Sequence, residues 1–461
     1  MAFNNLQEIL FDETQSIRSV MATLDRSVVH TMGTGFGLVV AEDGRLTGVV
    51  TDGDIRRCLS GGACIDAPIS VCMNRDFVAA SADQSQHQIL RLFEHRIRQI
   101  PVLDEMGRPV DLIQFSRFRA SARMASRVIR SRAPVRVSFG GGGTDMSFYF
   151  NKYVGRVLSM TINKHCYSSI SVRDDKKIRL VSSDYDLVEE ADDLSSLTYG
   201  SPLDLIKACI RLMEPDFGFE LETFSEIAPG TGLGGSSAMA ASVLGALNHF
   251  TSDSYLDNYQ LADLAYQAER IELGVAGGWQ DQFACIFGGM NLIEFRKDDI
   301  MVVPLKTPMN VLLELHFNLL LFRFGESRQS GAIVADQYKT YRTRQEDLQA
   351  QYHNLAELAL KMKWALLKGQ LECFGTLLHE AWEIKKKFSN KIANGYIDEL
   401  YLAAKTAGAL GGKVLGAGAG GYLLVFCPPS RQPAVVAELT ERGAVLEAFD
   451  FTNEGLQVWG V

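Results

Sequence analysis

Among the eight cysteines of this 461-residue chain there is no C-x-x-C pair. Cys58, Cys64 and Cys72 are the nearest neighbours, at spacings that match no common metal site. That argues against a zinc ribbon or a dithiol redox centre, and the cysteines read as reduced, mostly buried thiols of a cytoplasmic protein. No apolar run approaches the roughly 18 residues a membrane span needs, and no basic-then-apolar leader opens the chain, so no membrane partner is expected. The net charge is −9 and no basic cluster stands out, which leaves no electrostatic footprint for nucleic acid. The pattern G-x-x-x-x-G-K-[ST] occurs nowhere, which excludes a Walker-type phosphate loop. What remains is an ordinary globular composition, 47% hydrophobic and 22% charged, with length for about three domains.

Glycine is abundant, and it is clustered. In Ala228-Pro-Gly-Thr-Gly-Leu-Gly-Gly-Ser-Ser-Ala238 four glycines fall within six residues. An alternating apolar run, Phe219 to Ile227, predicts a strand before them, and an Ala-rich helix follows, with Ser236 and Ser237 at its N-cap position. Glycines remove the Cβ atoms that keep backbone N–H groups from a ligand, and a helix start adds free donors and partial positive charge. Gly230, Gly232, Leu233, Gly234, Gly235, Ser236 and Ser237 therefore read as a phosphate-binding loop. The loop also fits G-x-G-x-x-G, but a second helix (Leu261 to Leu273) follows where a dinucleotide fold needs a parallel strand.

The first 122 residues are organised differently. Phe36 to Leu59 and Gln99 to Phe118 share one pattern of strand, acidic-Gly turn, strand and helix start, offset by about 63 residues. Helices at Ser16 to Asp25 and Ser85 to His95 complete each unit. These segments resemble a tandem pair of CBS modules. The resemblance implies that Thr51 and Asp54 hydrogen-bond the ribose of an adenine nucleotide; the second repeat has Ile113 and Ser116 at the corresponding places, so its site looks degraded. Pure packing, dimerisation or another ligand are the alternatives. The basic stretch Ser121 to Arg130 marks a linker, set at 123–130.

Beyond it lie two more glycine-rich motifs. Arg132-Ala-Pro-Val-Arg-Val-Ser-Phe-Gly-Gly-Gly-Gly-Thr-Asp145 is a strand ending in four glycines. Gly411-Gly-Lys-Val-Leu-Gly-Ala-Gly-Ala-Gly-Gly-Tyr422 runs into an apolar strand. Between them come the phosphate loop and Ala268-Glu-Arg-Ile-Glu-Leu-Gly-Val-Ala-Gly-Gly-Trp-Gln-Asp-Gln282. Three such turns in this order resemble the GHMP kinases over about residues 130 to 461. The resemblance implies ATP and Mg²⁺, with Ser236 and Glu269 as metal ligands and Asp281 orienting or deprotonating the acceptor hydroxyl. It further implies that Arg136 lowers that hydroxyl's pKa or steadies charge, and that Asp145, with Gly143, Thr144 and Gly418, contacts the sugar. Each assignment has a plainer alternative: Ser236 as cap, Glu269 in a solvated helix pattern, Asp281 as turn residue. Two positions depart from the family: Gly235 stands where relatives usually have Ser, and Ala419 replaces a usual glycine.

Within the family, Ser131 to Asp145, Val157 to Tyr167 and Gly277 to Gln282 resemble the heptose-phosphate kinase branch, which phosphorylates an anomeric hydroxyl. D-glycero-D-manno-heptose 7-phosphate, converted to the 1,7-bisphosphate, is the expected substrate. An unphosphorylated sugar of the fucose or galactose type, and a non-catalytic nucleotide or sugar sensor, are the alternatives. Trp279 could stack on sugar C–H groups or pack in the core. A phosphorylated substrate needs cations at its far end. Arg328 and Lys385 to Lys387 are candidates, although each taken alone reads as a solvated charge. The expected fold class is α+β: a CBS pair (1–122), a kinase half resembling the ribosomal protein S5 domain 2-like fold (131–330), and a ferredoxin-like half (331–461). The site should lie in the cleft between the halves, and CBS pairs imply a homodimer.

Overall fold

The computed structural model describes residues 6–27, 35–81, 84, 89, 92, 97, 99–114, 127–250, 255–325 and 330–461. Arg328, Ser116, most of the expected 85–95 helix and residues 123–126 of the expected linker lie outside the described residues, while 128–130 of that linker open the strand Val128–Gly140. The chain divides into two compact units, Met1–Ala125 and Ser126–Val461.

In the first unit the sequence repeat becomes a structural one. Leu10–Asp12 pairs in parallel with Phe36–Val40, which pairs antiparallel with Leu46–Thr51. Ala80–Ser81, Gln99–Leu103 and Pro109–Gln114 repeat that order and those directions. Register slips at the same place in both, between Val39 and Val40 and between Val102 and Leu103. The two acidic-Gly turns face each other, since a Cβ on Gly44 would meet Arg108 and one on Gly107 would meet Arg45. Small apolar clusters fill each repeat; Ile17, Val20, Leu24, Val39, Val50, Ile55 and Ile69 make the first.

In the second unit an eight-stranded sheet is built around the 18-residue strand Gly155–Val172. That strand pairs antiparallel with Val128–Gly140, Phe219–Ser225 and Met290–Arg296. Val128–Gly140 carries the first glycine motif at its end. The helix Gly235–Asn248 has buried residues on nearly every side, as its Ala-rich sequence requires of a helix packed all round.

A four-stranded antiparallel sheet follows, ordered Gly411–Val414, Gly421–Phe426, Leu319–Phe324 and Val445–Glu447. Leu319–Phe324 thus belongs to the second sheet, upstream of the expected division at 330. The chain also returns to the first sheet, because Gln457–Gly460 pairs with Val128–Gly140. The apolar run 312–322 therefore does not close the first half. Its last residues are buried, Leu319 to Phe322 all at 9% exposure or less, as a central strand needs. One continuous apolar core joins both sheets of this unit.

Candidate active site

The second and third glycine turns meet because they pack backbone to backbone. A Cβ on Gly232 would lie 2.6 Å from the Leu415 carbonyl oxygen, and one on Gly416 would lie 2.5 Å from Gly232 Cα. Gly232 and Gly416 also adopt φ of +86° and +68°, so only glycine meets both requirements. This approach seats the phosphate loop against the third motif and closes one side of a cleft of about 100 Å³.

The cleft wall holds Arg136, Gly143, Asp145, Gly230, Gly232, Gly234, Gly235, Ser236, Glu269 and Asp281 from the expected set. Gly234, with φ +81°, is the N-cap of the Gly235–Asn248 helix, so Ser236 and Ser237 sit inside the first turn instead of at the cap. The two serines part there. Ser236 lines the cleft, whereas Ser237 is fully buried. Gly235 has a packing reason to lack a side chain, since a Cβ would come within 2.9 Å of Ile227 Cδ1.

Two carboxylates define the floor. Asp281, in the first turn of the helix Gln280–Phe287, accepts from Arg136 Nε at 2.8 Å and Nη2 at 2.5 Å, both on Oδ1. Oδ2 takes no part in that pair and is left for another donor. Arg136 is 1% exposed and donates its remaining terminal nitrogen, Nη1, to the Gly232 carbonyl at 2.8 Å. One guanidinium therefore ties the phosphate loop to Asp281.

Glu269 stands in a π-helical segment, Gln267–Glu272, that widens the helix after Asn258–Tyr266. Such widened turns recur at functional sites. Its oxygens accept from Ser236 Oγ at 2.6 Å, Ser237 Oγ at 3.2 Å and Gln282 Nε2 at 3.0 Å, and Arg270 pairs with it at 3.3 Å. A buried carboxylate with this many partners is no solvated helix charge.

Asp145 is 1% exposed and accepts from the Gly143 amide at 2.7 Å and the Gln280 amide at 3.2 Å. Burial pushes its carboxyl up, the Gly143 amide draws it back, and nearby Asp281 adds to the rise. Gly278 is held beside it: a Cβ there would fall 1.9 Å from Asp145 Oδ2.

Several expected contacts are placed elsewhere. Leu233 and Ser237 are buried behind the loop. Thr144 is buried and donates to the Gly141 carbonyl at 2.8 Å, locking the first glycine turn. Trp279 stacks on Tyr266 with ring centres 3.5 Å apart and donates to Ser147 Oγ at 3.3 Å, so it packs beneath the site. Gly418 lies against Ile392, while Gly416 and Ala417 form the wall.

Lys385 is not the solvated charge that its sequence neighbourhood suggests. It ends the helix Leu371–Lys385, is 7% exposed, lines the cleft and donates to the Gly416 carbonyl. Burial pulls its ammonium down to about 8, with Arg136 adding to the shift and Asp145 and Asp281 opposing it. Lys413 is a further cation that sequence reasoning misses. It is buried behind the cleft, donates to the Phe139 carbonyl at 3.4 Å, and burial holds it well below the usual lysine range. Its strand position, between two glycines and Val414, is the available signal.

Residues 204–289 match the family of GHMP kinases N terminal domain, residues 362–445 the GHMP kinases C terminal family, and 8–61 and 69–115 the CBS domain. The D-glycero-alpha-D-manno-heptose 7-phosphate kinase of Campylobacter jejuni is 32% identical over 341 residues, 73% of this chain and 100% of that protein. The chain is a GHMP kinase. A crystal structure of a D-glycero-D-manno-heptose 1-phosphate kinase from Bacteroides thetaiotaomicron matches this GHMP kinase with a TM-score of 0.61 at 31% identity, covering 72% of this chain and 99% of that one. Lactococcus lactis galactokinase complexed with galactose shares the fold, with a TM-score of 0.58 at 22% identity over 72% of this chain and 95% of that one. The first unit is accordingly a CBS pair and the second an ATP-dependent sugar kinase. Among the described residues no helix is long and apolar enough to cross a membrane.

Proposed function

We propose that this GHMP kinase transfers the γ-phosphoryl group of ATP to the anomeric hydroxyl of D-glycero-D-manno-heptose 7-phosphate. The observation that carries the chemistry is the Arg136–Asp281 pair anchored to the phosphate loop through Gly232. The 7-phosphate substrate rests on the name of the relative at 32% identity. The heptose itself rests also on that of the solved structure at 31% identity, a heptose 1-phosphate kinase.

Phosphoryl transfer asks for positioning and charge neutralisation more than for covalent work by the protein. The loop Gly230 to Ser236 cradles the phosphates with backbone amides at a helix start. Asp281 orients the acceptor hydroxyl through Oδ2 and takes its proton as the sugar oxygen bonds to the γ-phosphorus and the bond to the ADP oxygen breaks. Arg136, through its two hydrogen bonds to Oδ1, fixes the rotamer of Asp281. Asp145, held by two backbone amides, presents a carboxyl to sugar hydroxyls.

The hydroxyl of Ser236 and the carboxylate of Glu269 are hard oxygens beside the phosphate cradle, a set that fits Mg²⁺, which takes one or two protein oxygens and the rest from phosphate and water. Bound there, Mg²⁺ would neutralise phosphate charge. Among the described residues no cluster of three or more His, Cys, Asp and Glu offers a fuller cage.

The CBS pair is read as an adenine-nucleotide sensor. A cavity of about 520 Å³ in that unit is lined by Phe36, Thr51, Asp54, Asp76, Gln99 and Pro101, among others. Thr51 caps the helix Asp52–Ser60, and its hydroxyl donates to Asp54 Oδ2 at 2.6 Å, which sets both side chains at the cavity edge. The pair is also expected to hold two copies together as a homodimer, which sedimentation would show.

The test is ADP release from Mg-ATP across a panel of sugars and sugar phosphates. Turnover on the heptose phosphate is expected. Turnover confined to free fucose or galactose would keep the kinase and reject the substrate. Calorimetry with AMP and ATP on wild type and Thr51→Ala tests the sensor.

A further inference from the structure

The family resemblance places one cation, Arg136, at the reacting centre, yet the cleft holds a second that lacks an acidic partner. Lys385 is more than nine-tenths buried, and among the described residues no carboxylate lies within ion-pair distance of it. A desolvated ammonium with only a carbonyl to bond is costly unless an anion arrives. Its place at the C-terminal end of the Leu371–Lys385 helix recovers part of that cost through the helix dipole.

Its position says which anion. Lys385 bonds to the carbonyl of Gly416, and Gly416 lies against Gly232 of the phosphate loop. Arg136 bonds to the carbonyl of Gly232 from the other side. The two cations thus bracket the contact where the phosphate loop meets the third motif. The charged groups acting on Lys385 are Arg136 from the first strand, Asp145 from the first glycine turn, Asp281 from its helix, and Lys413 from the strand behind. All but Lys413 line the cleft, at its reacting end.

We propose that Lys385 binds the γ-phosphoryl group of ATP opposite Arg136 and neutralises the charge it carries during transfer. This rests on the phosphoryl-transfer reading of the cleft. The loosely bonded phosphoryl group carries its charge on equatorial oxygens, and Arg136, committed to Asp281 and Gly232, cannot meet all of them. Lys385 needs to give up only a carbonyl contact to do so.

The experiment compares wild type, Lys385→Met and Lys385→Arg by calorimetric binding of Mg-ATP and Mg-ADP, by kcat and sugar KM, and by melting temperature. Lys385→Met removes a buried charge while keeping a side chain of similar length, so it is expected to melt no lower than wild type. It should erase the preference for ATP over ADP and lower kcat by about 10²–10³-fold, the scale of losing one preorganised charge-stabilising group. Sugar KM should stay within about threefold, and Lys385→Arg should recover part of kcat. An intact ATP preference in Lys385→Met would overturn the proposal. So would a retained kcat with a raised KM confined to phosphorylated sugars, which would assign Lys385 to the substrate's own phosphate. The nucleotide comparison needs no sugar: absence of turnover on every sugar tried, with the ATP preference present in wild type and lost in Lys385→Met, would reject the substrate reading alone.

Discussion

Replacing Asp281 by asparagine and by alanine separates its chemical role from its structural one. Both changes remove the base, so both should lower kcat by roughly 10²–10⁴-fold, the usual range for general-base assistance. They differ in what they leave around Arg136. Asp281→Asn keeps an oxygen where Oδ1 accepts from Nε and Nη2, so the guanidinium would stay hydrogen-bonded though not neutralised. Asp281→Ala leaves a guanidinium only 1% exposed with the Gly232 carbonyl as its one partner. Breaking a buried pair from one side costs about 3–5 kcal/mol. Because the Asp281 side chain is 20% exposed, water can enter the gap, and the lower end, roughly 3 kcal/mol, is the better figure. For a unit of this size that is a fall in melting temperature of about 4 °C for Asp281→Ala, with Asp281→Asn roughly half as far. Scanning calorimetry and coupled ADP-release kinetics on the same preparations read both effects. Near wild-type turnover in Asp281→Asn would refute the catalytic assignment. Equal melting of the two variants would refute the claim that this pair anchors the phosphate loop.

Three further outcomes follow from single positions. Ala419 holds φ at +66°, a conformation that a Cβ disfavours by about 1–2 kcal/mol, so Ala419→Gly should raise stability by up to ~1 kcal/mol in chemical denaturation once glycine's extra chain entropy is subtracted. Gly232→Ala would drive a Cβ to 2.6 Å from the Leu415 carbonyl at a φ of +86°, and calorimetry should show ATP affinity falling at least tenfold. Lys385 has its ammonium lowered from 10.5 to about 8, so the unfolded chain binds more protons between those values. Its contribution therefore makes the protein without nucleotide more stable as pH rises from about 8 towards 10.5. Activity that needs the ammonium should fall over the same rise, and Lys385→Arg should move that limb of the kcat/KM profile to higher pH.

The parts of this protein readable from its sequence are those where one residue type has a single physical use. Clustered glycines at Gly230 to Gly235 and Gly416 to Gly421 mark loops that approach another backbone, and the 63-residue offset marks two copies of one three-stranded unit. Asp281 and Glu269 are legible from their spacing and the family resemblance. What stays hidden depends on partners distant in sequence. Lys385 looks like its neighbours Lys386 and Lys387, yet Lys386 pairs with Glu383 at the surface while Lys385 turns inward beneath Gly416. Trp279 is equally able to face a sugar or a core until Tyr266 takes its ring face. The switch of Leu319–Phe324 to the second sheet is set by pairing with Gly421–Phe426, about a hundred residues on, which local pattern does not encode.

Phosphorus NMR of the product formed from D-glycero-D-manno-heptose 7-phosphate and Mg-ATP tests the central claim most directly. The account predicts a new phosphate resonance coupled to the anomeric proton, with the original 7-phosphate retained. A new phosphate on any other carbon, or ADP release without a bisphosphate product, would contradict it.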